Sequence, residues 1–294
     1  IGVYLVPGHS QKVGFRILAG GGLGRTLMIG QEVFDFVEQK HLLTALEAIL
    51  RVYNRQGRRD NKYKARIKIL VKETGIEKFR KDVLEEWQRI KEGVQTLTDE
   101  EIQRCKSFFT KPSYLEKQDS PNELIQALKS EPRFLKWYER NVRPHKQPGY
   151  AIVTVVLKET GTAPGDITDT QLDYIADLSD EYSFGEIRVS HRQNVVLADV
   201  EQGRLYNLWQ KLQRQSLAND SLGLLTDIIC CPGGDFCALA NAKSIPIAEA
   251  IQRRFSDHSE LLDINEITIN ISGCMNACGH HHVGNIGILG VDKK

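Results

Sequence analysis

Apolar positions change their period several times along the 294-residue chain, and each change predicts an element. Residues 1–6 and 13–18 read as strands on either side of a polar turn around Gly8, His9 and Ser10. A glycine-rich loop, Gly20 to Gly24, follows the second strand, and residues 31–54 are expected to form a helix. From about 75 to 143 the spacing is helical and the polar positions are charged. Within 78–91, Phe79, Val83, Trp87 and Ile90 recur at helical intervals and so define a core-facing stripe. Pro144, Pro148 and Gly149 end that helical run. Beyond them, 150–157 is a β-branched strand, 170–182 a helix, 186–189 and 194–198 strands, and 203–213 another helix. The apolar stretch 286–291 reads as a final strand.

Charge adds little to this picture except at one place. Thirty-nine basic residues balance 38 acidic ones, for a formal net charge of +1, so no global field favours nucleic acid or an anionic membrane. With 41% hydrophobic and 26% charged residues the composition is that of an ordinary globular protein. No apolar run has the length of a membrane span and no stretch has signal-peptide organisation, which makes the cytoplasm the expected compartment. The exception is the dense basic segment Arg58, Arg59, Lys62, Lys64, Arg66 and Lys68. Arg59, Lys62 and Arg66 fall at i, i+3 and i+7, which on a helix is one face. Only Tyr63 is interleaved as a stacking platform, so single-stranded nucleic acid is a poor match, and a solvated surface face is the plain alternative. The glycine loop lacks the GK[ST] ending and the full dinucleotide fingerprint, which argues against nucleotide binding.

Candidate chemistry is concentrated near the C-terminus. Cys231 and Cys237 are separated by five residues, and Cys274 and Cys278 by three. Four thiols in two such pairs supply a full ligand set for an iron–sulfur cluster. On a helical turn Cys274 and Cys278 would share a face, with Gly273 and Gly279 letting backbone approach an inorganic core. Pro232, Gly233 and Gly234 force a turn, and Asp235 is the expected N-cap of a helix over 236–243. Structural zinc also takes four cysteines, but usually with two to four residues between paired ligands, and the first pair here has five. Disulfides do not suit six cysteines in a chain without a secretory segment. Cys105 is expected to be a buried small hydrophobe. Cys230 abuts Cys231, so chemistry alone leaves the first ligand open between them. His280, His281 and His282 are consecutive, and three successive side chains diverge too far to bind one ion.

The segments from Cys231 through Cys237 to Lys243, and from Ile271 through Cys274 and Cys278 to His282, resemble the second half of the sirohaem-containing sulfite and nitrite reductases. Residues 20–26 and 57–68 resemble the end of the first half of that family, so the likeness runs over essentially the whole chain. It selects Cys231 over Cys230. It implies a 4Fe–4S cluster on Cys231, Cys237, Cys274 and Cys278, coupled to sirohaem through Cys278 as the bridging thiolate, and six-electron reduction of sulfite to sulfide or nitrite to ammonia. Ferredoxin, flavodoxin or a flavoprotein is the implied donor, with no nucleic-acid or membrane partner. Asn276 and Gln193, the latter paired with Asn194, match family positions at the cofactor, while turn roles are their plain alternatives. Sirohaem carries eight carboxylates, which gives Lys62 and Arg66 a task, since a polyanion leaves water only with cationic partners.

The resemblance also predicts organisation. The expected fold is α+β, with pseudo-repeated reductase units and a ferredoxin-like half-domain between them. Residues 1–92 would be the C-terminal part of a first unit, 93–149 a helical connection, 150–215 the half-domain, and 216–294 a truncated second unit that binds the cofactors. Ile1-Gly2-Val3 and Ile286-Gly287-Ile288 would be the same strand in two copies. The chain would then be a fragment, with the substrate-binding basic residues upstream of Ile1. A reading of a different class is a metal–thiolate protein, cluster or zinc, that transfers electrons or folds around its metal without sirohaem catalysis.

Overall fold

The computed structural model describes residues 1–8, 13–256, 258–264 and 266–292, so His9 and Ser10 of the expected first turn lie outside the described residues. The chain divides into two units, Ile1–Lys111 and Pro112–Lys294.

In the first unit, strands β1 (Gly2–Pro7), β2 (Val13–Ala19) and β3 (Gln31–Glu38) form an antiparallel sheet in that order. Helices α1 (Leu42–Gln56), α2 (Ile67–Thr74), α3 (Ile76–Ile90) and α4 (Asp99–Ser107) follow. The helix expected over 31–54 therefore begins only after His41. Val33, Phe34, Phe36 and Val37 are β-branched or aromatic and lose rotamer freedom in a helix, and in the strand Phe34 and Val37 stand opposite Ile17 and Phe15 of β2. Ile17, Val33, Phe34 and Val37 meet Ala45, Ala48, Ile49 and Val52 of α1 and Phe79 and Val83 of α3 in one core. Glu86 of α3 is buried and accepts from Arg55 Nη1 of α1 at 2.7 Å, which ties the two helices together.

Two more expectations fail in this unit. Residues 57–66 form no helix, because α1 ends at Gly57 and α2 starts at Ile67, so Arg59, Lys62 and Arg66 share no helical face. Gly57 ends α1 in an extended conformation, and Arg59 folds back over the Tyr53 ring at 4.8 Å. Cys105 is exposed, because no residue of α4 is buried. That helix rests on its own start, where Thr98 and Glu101 make a capping box.

The second unit begins with helices α5 (Asn122–Ser130) and α6 (Pro132–Asn141). A four-stranded antiparallel sheet in the order β4-β5-β7-β6 follows, built from β4 (Val142–Pro144), β5 (Tyr150–Val155), β6 (Arg188–Val189) and β7 (Val195–Glu201). Helices α7 (Asp169–Tyr182) and α8 (Leu205–Gln213) supply Ile175, Leu178, Leu205, Leu208 and Leu212 to its core, against Val153, Val155, Leu197 and Val200. This is the ferredoxin-like part of the mixed α+β fold. The remaining elements are β8 (Ile229–Cys230), α9 (Gly233–Phe236), α10 (Ile245–Arg254), α11 (His258–Ile264), β9 (Ile269–Ser272) and β10 (Ile286–Leu289). β9 is buried along its whole length and pairs in parallel with β8 on one side and β10 on the other. β1 and β10, expected as copies of one strand, lie in different sheets: β1 has an antiparallel neighbour and β10 a parallel one.

Candidate functional site

The parallel sheet delivers the first thiol. Beyond Cys230 the Cys231 N–H continues the ladder by donating to Ile271 O at 3.1 Å. Its Sγ accepts from Gly273 N–H at 3.1 Å, and Ser244 Oγ, buried beside it, donates to Cys231 O at 2.7 Å. The Cys230 thiol donates to Cys231 O at 3.2 Å, and burial pushes its pKa up to about 12.

Cys237 ends α9, and its N–H donates to Gly233 O. The helix expected over 236–243 does not form, and Asp235 caps nothing: it sits inside α9 and pairs with Lys243 Nζ at 2.9 Å. The chain turns instead, with Ala240 N–H on Cys237 O, and then Asn241 and Ala242 N–H donate to Gly273 O at 2.8 and 3.0 Å. A continued helix would turn those two donors inward and leave the Gly273 carbonyl without them. One residue, Gly273, thus holds the Cys231 sulfur on its N–H and the Cys237 loop on its carbonyl, with Cys274 as its chain neighbour. Gly273 was expected to make room for an inorganic core. The crowding is from protein: a Cβ there would stand 2.7 Å from Ala242 O and 2.8 Å from Gly233 Cα.

The second pair departs from expectation too. Residues 274–278 are a succession of turns, so Cys274 and Cys278 share no helical face; Cys274 is buried and Cys278 exposed. Ala277 and His280 take φ of 61° and 54°, left-handed values that no right-handed helix continues. Buried Asn270 pins this loop by donating to Gly279 O and His280 O at 3.1 and 3.2 Å. Asn276 is exposed between the two thiols. His281 is buried, both its ring nitrogens lack partners among the described residues, and burial lowers its pKa.

Among the described residues no three or more His, Cys, Asp or Glu side chains gather as one metal ion requires. A structural zinc site needs four donors about 2.3 Å from a single point when all are thiolates, and these loops do not make one. A cubane cluster is wider than an ion and holds its thiolates further apart. Four thiols are the soft donors that a cluster takes, and the segments of Cys231, Cys237 and Cys274 meet at Gly273.

Gln193 reaches this region from the turn between β6 and β7. Its Nε2 donates to Cys230 O and its Oε1 accepts from Cys230 N–H, both at 2.9 Å. A cavity of about 80 Å³ lies beside it, lined by Asp166, Gln193, Cys230, Cys231 and Phe236 among others. Lys158 and Asp227, both buried under the same turn, were not singled out from the sequence; the one signal was a lysine closing the apolar run Val153 to Leu157.

In the first unit, Lys62 and Arg66 have exposed side chains, with Arg66 Nη1 on Ala65 O at 2.8 Å. Lys68 Nζ instead closes the glycine-rich loop, donating to Leu23 O and Thr26 O at 2.8 and 2.9 Å. Arg58 pairs with Asp60 and pulls that carboxyl down to about 2. No helix of the described residues is long and apolar enough to cross a membrane.

Residues 1–91 match the nitrite and sulphite reductase 4Fe-4S domain, and residues 143–215 the nitrite/sulfite reductase ferredoxin-like half domain. With more than half its length so matched, the chain belongs to the nitrite and sulfite reductase family. It is 26% identical to a chloroplastic ferredoxin–nitrite reductase of Betula pendula, over 98% of this chain and 43% of that protein. It is 28% identical to sulfite reductase [ferredoxin] 2 of Mycolicibacterium paratuberculosis, over 97% of this chain and 44% of that one. The solved structure of the Mycobacterium tuberculosis NirA protein superposes with a TM-score of 0.67 at 25% identity, covering 97% of this chain and 46% of the other. The chain spans less than half the length of the curated relatives it matches.

Proposed function

We propose that this chain is the cluster- and sirohaem-holding part of a reductase that takes sulfite to sulfide or nitrite to ammonia. Cys231, Cys237, Cys274 and Cys278 are the thiolates in this reading, with Cys278 shared between cluster and sirohaem iron. The observation that carries it is Gly273, whose N–H and carbonyl fasten the loops of both cysteine pairs to each other. A bound 4Fe–4S cluster joined to sirohaem supplies the relay by which one-electron donors accomplish a six-electron reduction. The chain's own part is to hold and to orient. Cys230 lies outside the ligand set in this reading. Asn276 and Gln193 offer amides at the cofactor edge, and in the first unit, taken by itself, exposed Lys62 and Arg66 are cations of the kind that carboxylates take. Ferredoxin is the favoured donor, because relatives for nitrite and for sulfite alike are named for it.

In the same proposal residues 1–92 and 216–294 are parts of two related units, separated by a helical connection (93–149) and the half-domain (150–215). A strand has two edges, so β1 with its antiparallel neighbour and β10 with its parallel one are compatible as copies. The match of a 4Fe-4S domain to residues 1–91, which contain no cysteine, supports a duplicated unit of which one copy keeps the thiols. The deciding experiment is the optical spectrum of the natural protein containing this chain, purified without oxygen. A tetrapyrrole Soret band together with broad cluster absorption is expected, and a colourless, zinc-loaded protein overturns the proposal.

A further inference from the structure

Lys158 lies three residues beyond β5 and is completely buried. Its ammonium donates to Arg192 O at 3.0 Å, Gln193 O at 2.8 Å and Asn194 Oδ1 at 3.0 Å, so each of its three N–H bonds has an acceptor. Asp227 Oδ1 lies 4.0 Å away, also buried. That carboxylate accepts from Asn194 Nδ2 at 3.1 Å, Gly223 N–H at 3.1 Å and Arg192 Nη1 at 3.4 Å. Burial pushes the Lys158 pKa down to about 8, with Asp227 opposing. A buried ion pair is a costly way to fill space, and its best-attested use is to select one arrangement among several. The arrangement selected here is the turn at 190–194, where Gln193 is held at a left-handed φ of 57°. From that turn the Gln193 amide closes its two-bond ring with the Cys230 main chain, while Cys230 pairs with Ile271 of β9 on its other edge. The main chain that delivers Cys231 is thus gripped from both sides, and one grip leads back to Lys158.

We infer that Lys158 is a positioning residue for Cys231: the Lys158–Asp227 pair fixes the 190–194 turn, the turn fixes the Gln193 amide, and the amide fixes the backbone from which the thiol leaves. The functional meaning of that coupling rests on the cluster role proposed for Cys231, but the coupling itself does not.

The test uses the natural protein containing this chain, in its cofactor-free form. Hydrogen exchange of the Cys230 amide and alkylation of Cys231 by iodoacetamide are followed by peptide mass. Two variants cut the path at different points: Gln193→Ala, and Lys158→Met combined with Asp227→Asn, which leaves no buried charge alone. Each is expected to speed Cys230 exchange about tenfold or more, as loss of one or two hydrogen bonds implies. All three substitutions together should add little, because both cuts sever one path. Val153 and Leu197 amides in the half-domain sheet should be unaffected. Unchanged Cys230 exchange, additive effects, or equal acceleration at Val153 and Leu197 each overturn the inference. Should the Lys158 and Asp227 pair of changes prevent folding, the wild-type chain decides the matter. Its Cys230 and Asn194 amides must then open with the same free energy and the same denaturant slope, and different slopes overturn the coupling. None of these readouts needs iron. A chain that never binds a cluster can still show the coupling, and a cluster-loaded one with unchanged exchange sinks the coupling alone.

Discussion

Replacing Gly273 by alanine tests the arrangement at its narrowest point. Its φ is not left-handed, so alanine is acceptable to the backbone and even gains about 0.4–1 kcal/mol by restricting the unfolded chain. What opposes it is space: the new Cβ would stand 2.7 Å from Ala242 O and 2.8 Å from Gly233 Cα, both backbone atoms that no rotamer change can move. The Cys237 loop must retreat, which strains the bonds from Asn241 and Ala242 N–H, worth roughly 0.5–1.5 kcal/mol each. Overpacking of this kind costs about 1–3 kcal/mol, so a net loss of about 2–4 kcal/mol is expected. At roughly 2–4 °C per kcal/mol for a unit of this size, thermal unfolding should move down by about 5–15 °C. Gly234→Ala is the control, since its Cβ would meet its nearest neighbour at 3.4 Å, an ordinary contact. Circular dichroism of both variants, heated and in urea, gives the comparison. Coincident transitions for the two would refute the claim that Gly273 is the close-packed junction of the cysteine loops.

Cys278→Ser in the natural protein should abolish cluster–sirohaem coupling and turnover together, whereas Cys230→Ser should keep the cluster, read by electron paramagnetic resonance and iron content. Glu86→Gln should destabilise the first unit by about 1–3 kcal/mol in urea melts at neutral pH. The Glu86 carboxyl is held below its usual range by its hydrogen bond from Arg55, so the unfolded chain binds more protons there. Its contribution is therefore present above the unfolded pKa and lost as pH falls through the lowered folded value, and Glu86→Gln should flatten that acid limb. Tyr114 runs the other way: burial, then its bond to Asp199, raises its pKa to about 12. The stability it adds is complete below the unfolded value and disappears between about pH 10 and 12, so Tyr114→Phe should remove about 1–2 kcal/mol of that alkaline loss in melts across the window.

Sequence periodicity located the elements wherever a local pattern and the final packing agree. Residues 13–18, 150–157 and 170–182 all lie in or beside the strands and helix expected of them, and Phe79 and Val83 are in the core. The misplacements share one cause, a partner distant in sequence. The run Val33 to Val37 suits a strand only because β2 is beside it. Residues 237–243 lack no helix former, but their donors are taken by Gly273, more than thirty positions away. Non-glycine left-handed residues at Ala277 and His280 leave no mark in composition, and Asn270 holds the loop around them. Cysteine spacing carried the thiols themselves, whereas nothing local announced that Lys158 would be buried beneath the turn of Gln193.

A zinc reading and a cluster reading demand different things of these loops. A structural zinc site organises its own ligands, so a zinc module has little need of a framework that fixes each loop beforehand. Here the framework is extensive. Ser244 holds the Cys231 carbonyl, Gly273 holds its sulfur and the Cys237 loop, Asn270 and Ser272 hold the chain after Cys278, and Gln193 holds Cys230. Each of these groups is main chain or a neutral polar side chain, and none is itself one of the four thiols. Such a scaffold suits a cofactor larger than an ion, whose thiolates must stand apart and keep their places while electrons pass. Cys278 is exposed, which is what the proposed sharing of its sulfur with a second cofactor would require.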